Sequence, residues 1–183
     1  MQLGFYLDTD RCVGCQTCTV ACKNWNNLAP KLTATPGTQG PKWRRVTTVE
    51  SGTYPNVDIV KVSLSCMHCG KPACMEVCPT GAISKRPEDG IVVVDSNKCI
   101  GCRYCFFACP FGVPQYGEDG TMQKCNLCLG RLAEGKQPAC VENCPAKAIQ
   151  AGPIEELAKL TAAKTARKLV GSTQPSVLIS GSR

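Results

Sequence analysis

CIGCRYCFFACP, residues 99–110, sets Cys99, Cys102 and Cys105 at intervals of three and follows them with Cys109 and Pro110. Three thiolates on one short loop suit three irons of a [4Fe–4S] cube. A fourth, carried onto the following helix, turns away from that loop and reaches a second cluster. One run of this kind therefore implies a partner run elsewhere. The chain supplies 16 cysteines in 183 residues, and they sort into four groups of four.

Upstream, CMHCGKPACMEVCP gives Cys66, Cys69, Cys74 and Cys78, with two extra residues between the second and third cysteine. ISKRPEDGIVVVD joins this group to the opening stretch and reads as a hairpin turning at PEDG. The block from 66 to 110, cluster group, hairpin, cluster group, resembles a two-cluster bacterial ferredoxin. Downstream, PFGVPQYGEDGTMQK reads as a loop with a turn at GEDG and leads to Cys125, Cys128, Cys140 and Cys144. Eleven residues, LGRLAEGKQPA, bulge inside that group, and its end, CPAKAIQAG, echoes CPTGAISKR. At the amino end LGFYLDTD reads as a strand entering CVGCQTCTVAC, with Cys12, Cys15, Cys18 and Cys22. Gly14 and Gly101 occupy the same place before the second cysteine, where a loop around a cube needs unusual backbone angles. Lys23 replaces proline after Cys22, so that helix is expected to continue into KNWNN.

The two kinds of group alternate along the chain. With groups two and three forming an inner ferredoxin, the strand AIQAG after group four needs an incoming partner, and LGFYLD is the one that remains. The expected fold is therefore α+β, two nested bacterial-type two-cluster ferredoxin units. Residues 1–22 plus 125–152 form the outer unit, 23–65 an insertion with a β-hairpin, 66–110 the inner unit, 111–124 a connecting loop and 153–183 a C-terminal helix and tail. Carrying over the ferredoxin exchange of fourth cysteines gives four [4Fe–4S] sites: Cys12, Cys15, Cys18 with Cys144; Cys22 with Cys125, Cys128, Cys140; Cys66, Cys69, Cys74 with Cys109; Cys78 with Cys99, Cys102, Cys105.

Within the insertion, LAPKLTATPGTQGP reads as surface loop, and KWRRVTTVE and VDIVKVSLS as strands flanking SGTYPN. It serves either partner docking or nothing beyond a solvated excursion. PIEELAKLTAAKTARKLV has a proline-started, glycine-stopped helical pattern, and TQPSVLIS reads as a terminal extended segment, a tail or a partner contact. His68 is either a tuner of its cluster or a packed loop residue. Trp25, Tyr104, Phe106 and Phe107 are expected to shield clusters from water.

Composition narrows the alternatives. Apolar residues, with the cysteines counted among them, make up 43% of the sequence, and aromatics are 5%. Without the cysteines roughly a third of the residues remain for a core, so covalent or metal staples are expected. A disulfide scaffold would follow a signal peptide, yet MQLGFYLDTDRC has no basic region followed by a long apolar stretch, and Arg44-Arg45 is internal. Zinc ribbons take two thiolates from each of two knuckles, which Cys-x2-Cys-x2-Cys-x3-Cys crowds. A zinc-stabilised interaction protein is thus the alternative of another class. The formal charge of +7 hints at nucleic acid, but sixteen thiolates and four oxidised cubes would bring the loaded protein to roughly −1. No nucleic-acid partner is expected. No apolar run reaches the ~18 residues of a membrane span, and no nucleotide, phosphate or hydrolase motif is present, so a non-catalytic role is expected.

With four groups of this order and spacing, the sequence resembles the iron–sulfur (beta) subunits of the dimethyl sulfoxide reductase family of molybdopterin oxidoreductases. GFYLDTDRCVGCQTC, SLSCMHCGKPACMEVCP, GIVVVDSNKCIGCRYC, MQKCNLC and AIQAGPIEEL carry the resemblance over nearly the whole chain. It implies a relay of single electrons between a catalytic subunit bearing a molybdenum or tungsten pterin and an integral membrane anchor that exchanges electrons with quinone. Some related subunits replace a cysteine in the third group; here all four are kept, which implies [4Fe–4S] at every site. The alternative is a soluble polyferredoxin serving a formate dehydrogenase or hydrogenase. Clusters are built in reducing cytosol, so the chain is expected to mature there without a signal of its own. It then stays inside or leaves folded on a twin-arginine partner, in a complex associated with the cytoplasmic membrane.

Overall fold

The structure is a computed structural model, and it describes residues 1–28, 40–160, 166–168 and 171–181. In chain order its elements are β1 (Leu3–Asp8), α1 (Thr17–Trp25), β2 (Arg45–Thr53), β3 (Asn56–Leu64), α2 (Ala73–Glu76), β4 (Ile83–Lys85), β5 (Val92–Val94) and α3 (Tyr104–Ala108). Then come β6 (Gln115–Tyr116), β7 (Met122–Gln123), α4 (Leu129–Ala133), α5 (Ala139–Glu142), β8 (Ile149–Pro153), α6 (Ile154–Leu160), β9 (Ala166–Lys168) and β10 (Val177–Ser180). The architecture is mixed, with short helices between small sheets.

Local chemistry explains most of these elements. β2 and β3 alternate β-branched and polar residues about SGTYPN and pair antiparallel from Arg45 opposite Leu64 to Thr53 opposite Asn56. β4 and β5 close the PEDG hairpin with Ile83 opposite Val94, and β6 and β7 close GEDG with Tyr116 opposite Met122. α1 runs on past Cys22 to Trp25, as expected where lysine stands in place of proline.

The remaining sheet has the order β8-β1-β10-β9. β1 and β8 pair antiparallel, Leu7 opposite Ile149, so LGFYLD meets the strand that follows group four. On its other edge β1 pairs parallel with β10, Tyr6 opposite Leu178, and β10 pairs antiparallel with β9. The C-terminal expectation is corrected here: the helix is described only over Ile154–Leu160, and 166–168, assigned to the same helix by pattern, are strand. The part of that helix at 161–165, and most of the loop LAPKLTATPGTQGP, lie outside the described residues. The tail is no loose end, because Val177, Leu178 and Ser180 are buried.

One core gathers Phe5, Leu7, Ile91, Leu127 and Val177 around Cys18, Cys66, Cys125, Cys140 and Cys144. A second gathers Ile83, Val92 and Met122 around Cys105, with Cys74, Cys78 and Cys99 against it. The cysteines are thus part of the cores, which these few large side chains alone would leave thin.

Candidate metal centre

The loops carrying the cysteines repeat in backbone detail. Gly14 and Gly101 have φ of 75° and 69°, and Gln16 and Arg103, two residues later, have φ of 63° and 66°. These left-handed residues wrap the loop and launch α1 and α3, each carrying the third cysteine of its group. Groups two and four share another pattern. His68 and Leu127 are left-handed at φ 41° and 59°. Pro72 and Pro138 open α2 and α5, each holding the third cysteine of its group as its second residue.

These loops bring the cysteines together in quartets, none of them joined by disulfides. Cys12, Cys15, Cys18 and Cys144 line one cavity, with Val46 and Ser63. Cys66, Cys69, Cys74 and Cys109 line another, with Val92 and Lys124. Cys78, Cys99, Cys102 and Cys105 line a third, with Tyr116 and Met122. Cys22 lies where Cys125, Cys140 and Cys128 act on it electrostatically, and the Asn26 amide donates to the Cys22 sulfur at 3.6 Å.

Adjacent quartets lie close together. Cys18 acts on Cys140, Cys66 acts on Cys125, and Cys74 packs in the same core as Cys78, Cys99 and Cys105. The four form a series with the quartet of Cys12 at one end and that of Cys78 at the other. Only at those ends does a cysteine become exposed, Cys15 and Cys102.

Backbone amides are aimed at the sulfurs: Met122 N–H donates to Cys99 at 3.3 Å, Leu127 N–H to Cys125 at 3.4 Å and Ala148 N–H to Cys144 at 3.3 Å. Tyr116 O–H and Cys105 Sγ are 3.4 Å apart. Such donors stabilise negative charge on sulfur. Burial pushes thiols up: Cys74 to about 12, with nearby Cys66 adding and Lys124 opposing, and Cys125 to about 11, opposed chiefly by Arg44. Burial also raises Cys22, with Cys125 and Cys140 adding to it. Thiolates at these positions therefore need a strong local cation, which iron supplies. Among the described residues no three His, Cys, Asp or Glu side chains are set to hold a single metal ion. A cube instead gives each thiolate its own iron, so its ligands must ring a volume, as these quartets do. The donor set fits four [4Fe–4S] clusters.

Other expectations fare differently. His68 is fully buried; its Nδ1 accepts from Val92 N–H at 3.1 Å and its Nε2 has no partner. Burial, then the charges of Lys124, Arg44 and Lys85, hold its pKa well below the usual imidazole value. It is a packed, neutral residue in the place Leu127 fills in group four. The shielding role expected of the aromatics is corrected: Tyr104 is 60% exposed and Phe107 81%, and Phe106 and Trp25 are also exposed. Phe5, Phe111, Met122 and Tyr116 pack against the cysteine cores instead. Sequence reasoning missed three buried cations, Arg44, Lys124 and Arg131. The Lys124 ammonium donates to the carbonyls of Val92 and Cys125. A basic run such as KWRR carries no mark that one of its members is internal.

Comparison with known proteins agrees with this donor set. A family described as "4Fe-4S dicluster domain" matches residues 57–154, and a second of the same description matches 11–83. The chain is 49% identical over 165 residues to YnfG, a probable anaerobic dimethyl sulfoxide reductase subunit of Escherichia coli strain K12, covering 85% of this chain and 76% of that one. It is 48% identical over 167 residues to the B subunit of anaerobic dimethyl sulfoxide reductase from the same strain, covering 86% and 77%. With the thiosulfate reductase electron transfer subunit PhsB of Salmonella typhi it shares 42% over 151 residues, 81% and 74% of the two proteins.

Proposed function

We propose this protein's place in a complex from one premise: it belongs to the iron–sulfur subunits of the dimethyl sulfoxide reductase family of molybdopterin oxidoreductases. It is a non-catalytic electron-transfer subunit with two 4Fe-4S dicluster domains, and its cofactors are four [4Fe–4S] clusters. Its relatives are B subunits or electron-transfer subunits of reductases, so its first partner is a catalytic subunit.

Each cluster, when bound, accepts and gives one electron. The residues of the chain do the rest. The proposed ligand sets are Cys12, Cys15, Cys18, Cys144; Cys22, Cys125, Cys128, Cys140; Cys66, Cys69, Cys74, Cys109; and Cys78, Cys99, Cys102, Cys105. The shared cavities support three of these, and the electrostatic neighbourhood of Cys22 supports the fourth. Antiparallel pairing of β1 with β8, and of β4 with β5, supports the nested arrangement of an outer and an inner ferredoxin unit. Apolar walls keep water from the sulfurs, and the amides at Cys99, Cys125 and Cys144 hold their charge in place.

The serial arrangement of the quartets carries the relay reading. Electrons enter near one exposed end and leave near the other. Val13 and Val20 stand exposed near Cys15, and Ile100, Tyr104 and Phe107 near Cys102, supporting a protein contact at each end. One contact is the catalytic subunit, with molybdenum or tungsten at its pterin. The other is a membrane anchor exchanging electrons with quinone, which brings this subunit to the membrane; among its described residues no helix is long and apolar enough to cross one. The chain matures in the reducing cytosol and, if the complex works outside, leaves folded with its catalytic partner.

The test is to purify the full chain with its complex and measure iron, sulfide and spectra. About sixteen irons and sixteen sulfides per chain are expected, with paramagnetic signals that appear on reduction by a quinol analogue or by reduced catalytic subunit. Stoichiometric zinc, or clusters that neither source reduces, would overturn the reading.

A further inference from the structure

Arg44 is among the most buried side chains, at 1% exposure, and among the described residues it forms no ion pair with a carboxylate. One of its terminal nitrogens donates to Ser63 Oγ at 3.1 Å and the carbonyl of Ser63 at 3.3 Å, and the other to Ser65 Oγ at 2.8 Å. Its guanidinium lies over the Phe5 ring, 4.4 Å from the centroid. Its buried Nε–H has no nitrogen or oxygen acceptor among the described residues, and the Cys140 sulfur is within hydrogen-bonding reach of the guanidinium. A buried cation without a counter-charge is costly to desolvate, and two hydroxyls, one carbonyl and a ring carry no negative charge to balance it. The negative groups around it are sulfurs: Cys140, Cys125, Cys18 and Cys22 bear on its charge in that order. Three of these belong to one proposed ligand set and one to its neighbour.

We infer that Arg44 is a potential-setting residue, a fixed internal cation that raises the reduction potential of the cluster on Cys22, Cys125, Cys128 and Cys140 and, less strongly, that of the cluster on Cys12, Cys15, Cys18 and Cys144. A cluster with four thiolates is anionic and gains one more negative charge on reduction, so a nearby cation favours the reduced state. The electron comes from the neighbouring cluster, which is oxidised as this one is reduced. No proton need move, because a guanidinium stays charged throughout. Ser63, Ser65 and Phe5 fix the charge in place, and β2 and β3, which frame it, thereby gain a role in electron flow. The far cluster, on Cys78, Cys99, Cys102 and Cys105, has no share in Arg44.

This rests on the cluster reading above: a chain without iron and sulfide overturns that reading, whereas a loaded chain with unmoved potentials overturns this inference alone. The experiment is a redox titration followed by paramagnetic resonance on the loaded full-length chain in its complex, comparing wild type with Arg44→Gln and Arg44→Lys. In Arg44→Gln the reduced-to-oxidised ratio of the Cys22 cluster at a fixed potential should fall about tenfold, which is 59 mV for a one-electron couple. The Cys78 cluster should not move, and Arg44→Lys should recover most of the difference. Four unmoved potentials, four shifted alike, or a lysine variant that falls as far as glutamine would overturn the inference. If the glutamine variant does not load, the wild type grown with 15N-arginine decides. A guanidinium 15N coupling to the reduced cluster, retained in Arg131→Lys, supports the inference, and no coupling overturns it.

Discussion

At the scale of single residues, two positions test how the loops hold their clusters. Cys78 ends the second group in sequence, yet it shares a cavity with Cys99, Cys102 and Cys105, while Cys66, Cys69 and Cys74 sit with Cys109. Cys78→Ser should therefore alter the paramagnetic signal of the cluster on the 99–105 loop and leave that on the 66–74 loop unchanged; the reverse result would break the ligand assignment. Gly101 is the second position. Its φ is +69°, and an added Cβ would meet the carbonyl oxygen of Gly120 at 2.7 Å. Left-handed backbone costs a residue with a Cβ about 1–2 kcal/mol, and the loop from Gly117 to Gly120 must also shift. Gly101→Ala should lower the temperature at which the Cys99 cluster bleaches by several degrees, read from visible absorbance, with the other three clusters little affected.

Among the elements, β10 links parts of the molecule that are far apart in sequence. Gly70 N–H donates to the carbonyl of Gln174 and Lys71 N–H to that of Thr173, so the segment before β10 grips the loop of Cys66 and Cys69. Ser176 adds its N–H to the Met67 carbonyl and its hydroxyl to the His68 carbonyl. Leu178, 6% exposed, packs with Tyr6 and Leu157 behind the sheet. Leu178→Ala should cost about 2–5 kcal/mol by loss of buried volume, measured by denaturant unfolding of the loaded chain. Truncation after Gly171 should go further and deplete the Cys66 cluster before the others, read as iron per chain. TQPSVLIS was legible as an extended segment, but its place beside β1 was not. Alternation and turn residues announce β2 with β3 and β4 with β5, because those strands pair with sequence neighbours. β10 pairs across the chain ends with β1, β9 adds to it at the sheet edge, and ARK lies in a run whose alanines and lysines favour helix until that edge overrides them.

Across the whole molecule, cysteine spacing, strand pairing and the ferredoxin exchange of fourth cysteines made the proposed quartets readable in the sequence. A cluster takes its ligands from short loops, so sorting 16 cysteines by local pattern goes far toward the quartets. Burial follows no such rule: Arg44 and His68 are internal while Phe107 is exposed, and each reading depended on elements remote in sequence. The whole-molecule property that remains is the series itself. Cys18 lies within electrostatic reach of Cys140 and Cys66 of Cys125, so in the proposed ligand assignment the quartet of Cys22 stands between that of Cys12 and that of Cys66. Four clusters at one hub would tolerate the loss of one; four in line do not. Cys128→Ser, at the residue that opens α4 and is not among the four sulfurs bearing most on Arg44, is the substitution to make, because it weakens the bridging cluster and leaves the sulfurs of its neighbours untouched. Given a reductant that acts only through one end of the complex, the clusters on that side should reduce at the wild-type rate. Those beyond the bridge should lag by an order of magnitude or more, about 1.4 kcal/mol in barrier for each tenfold. Rapid-freeze paramagnetic resonance separates the two populations, and clusters on both sides reducing together would show that electrons have another way through.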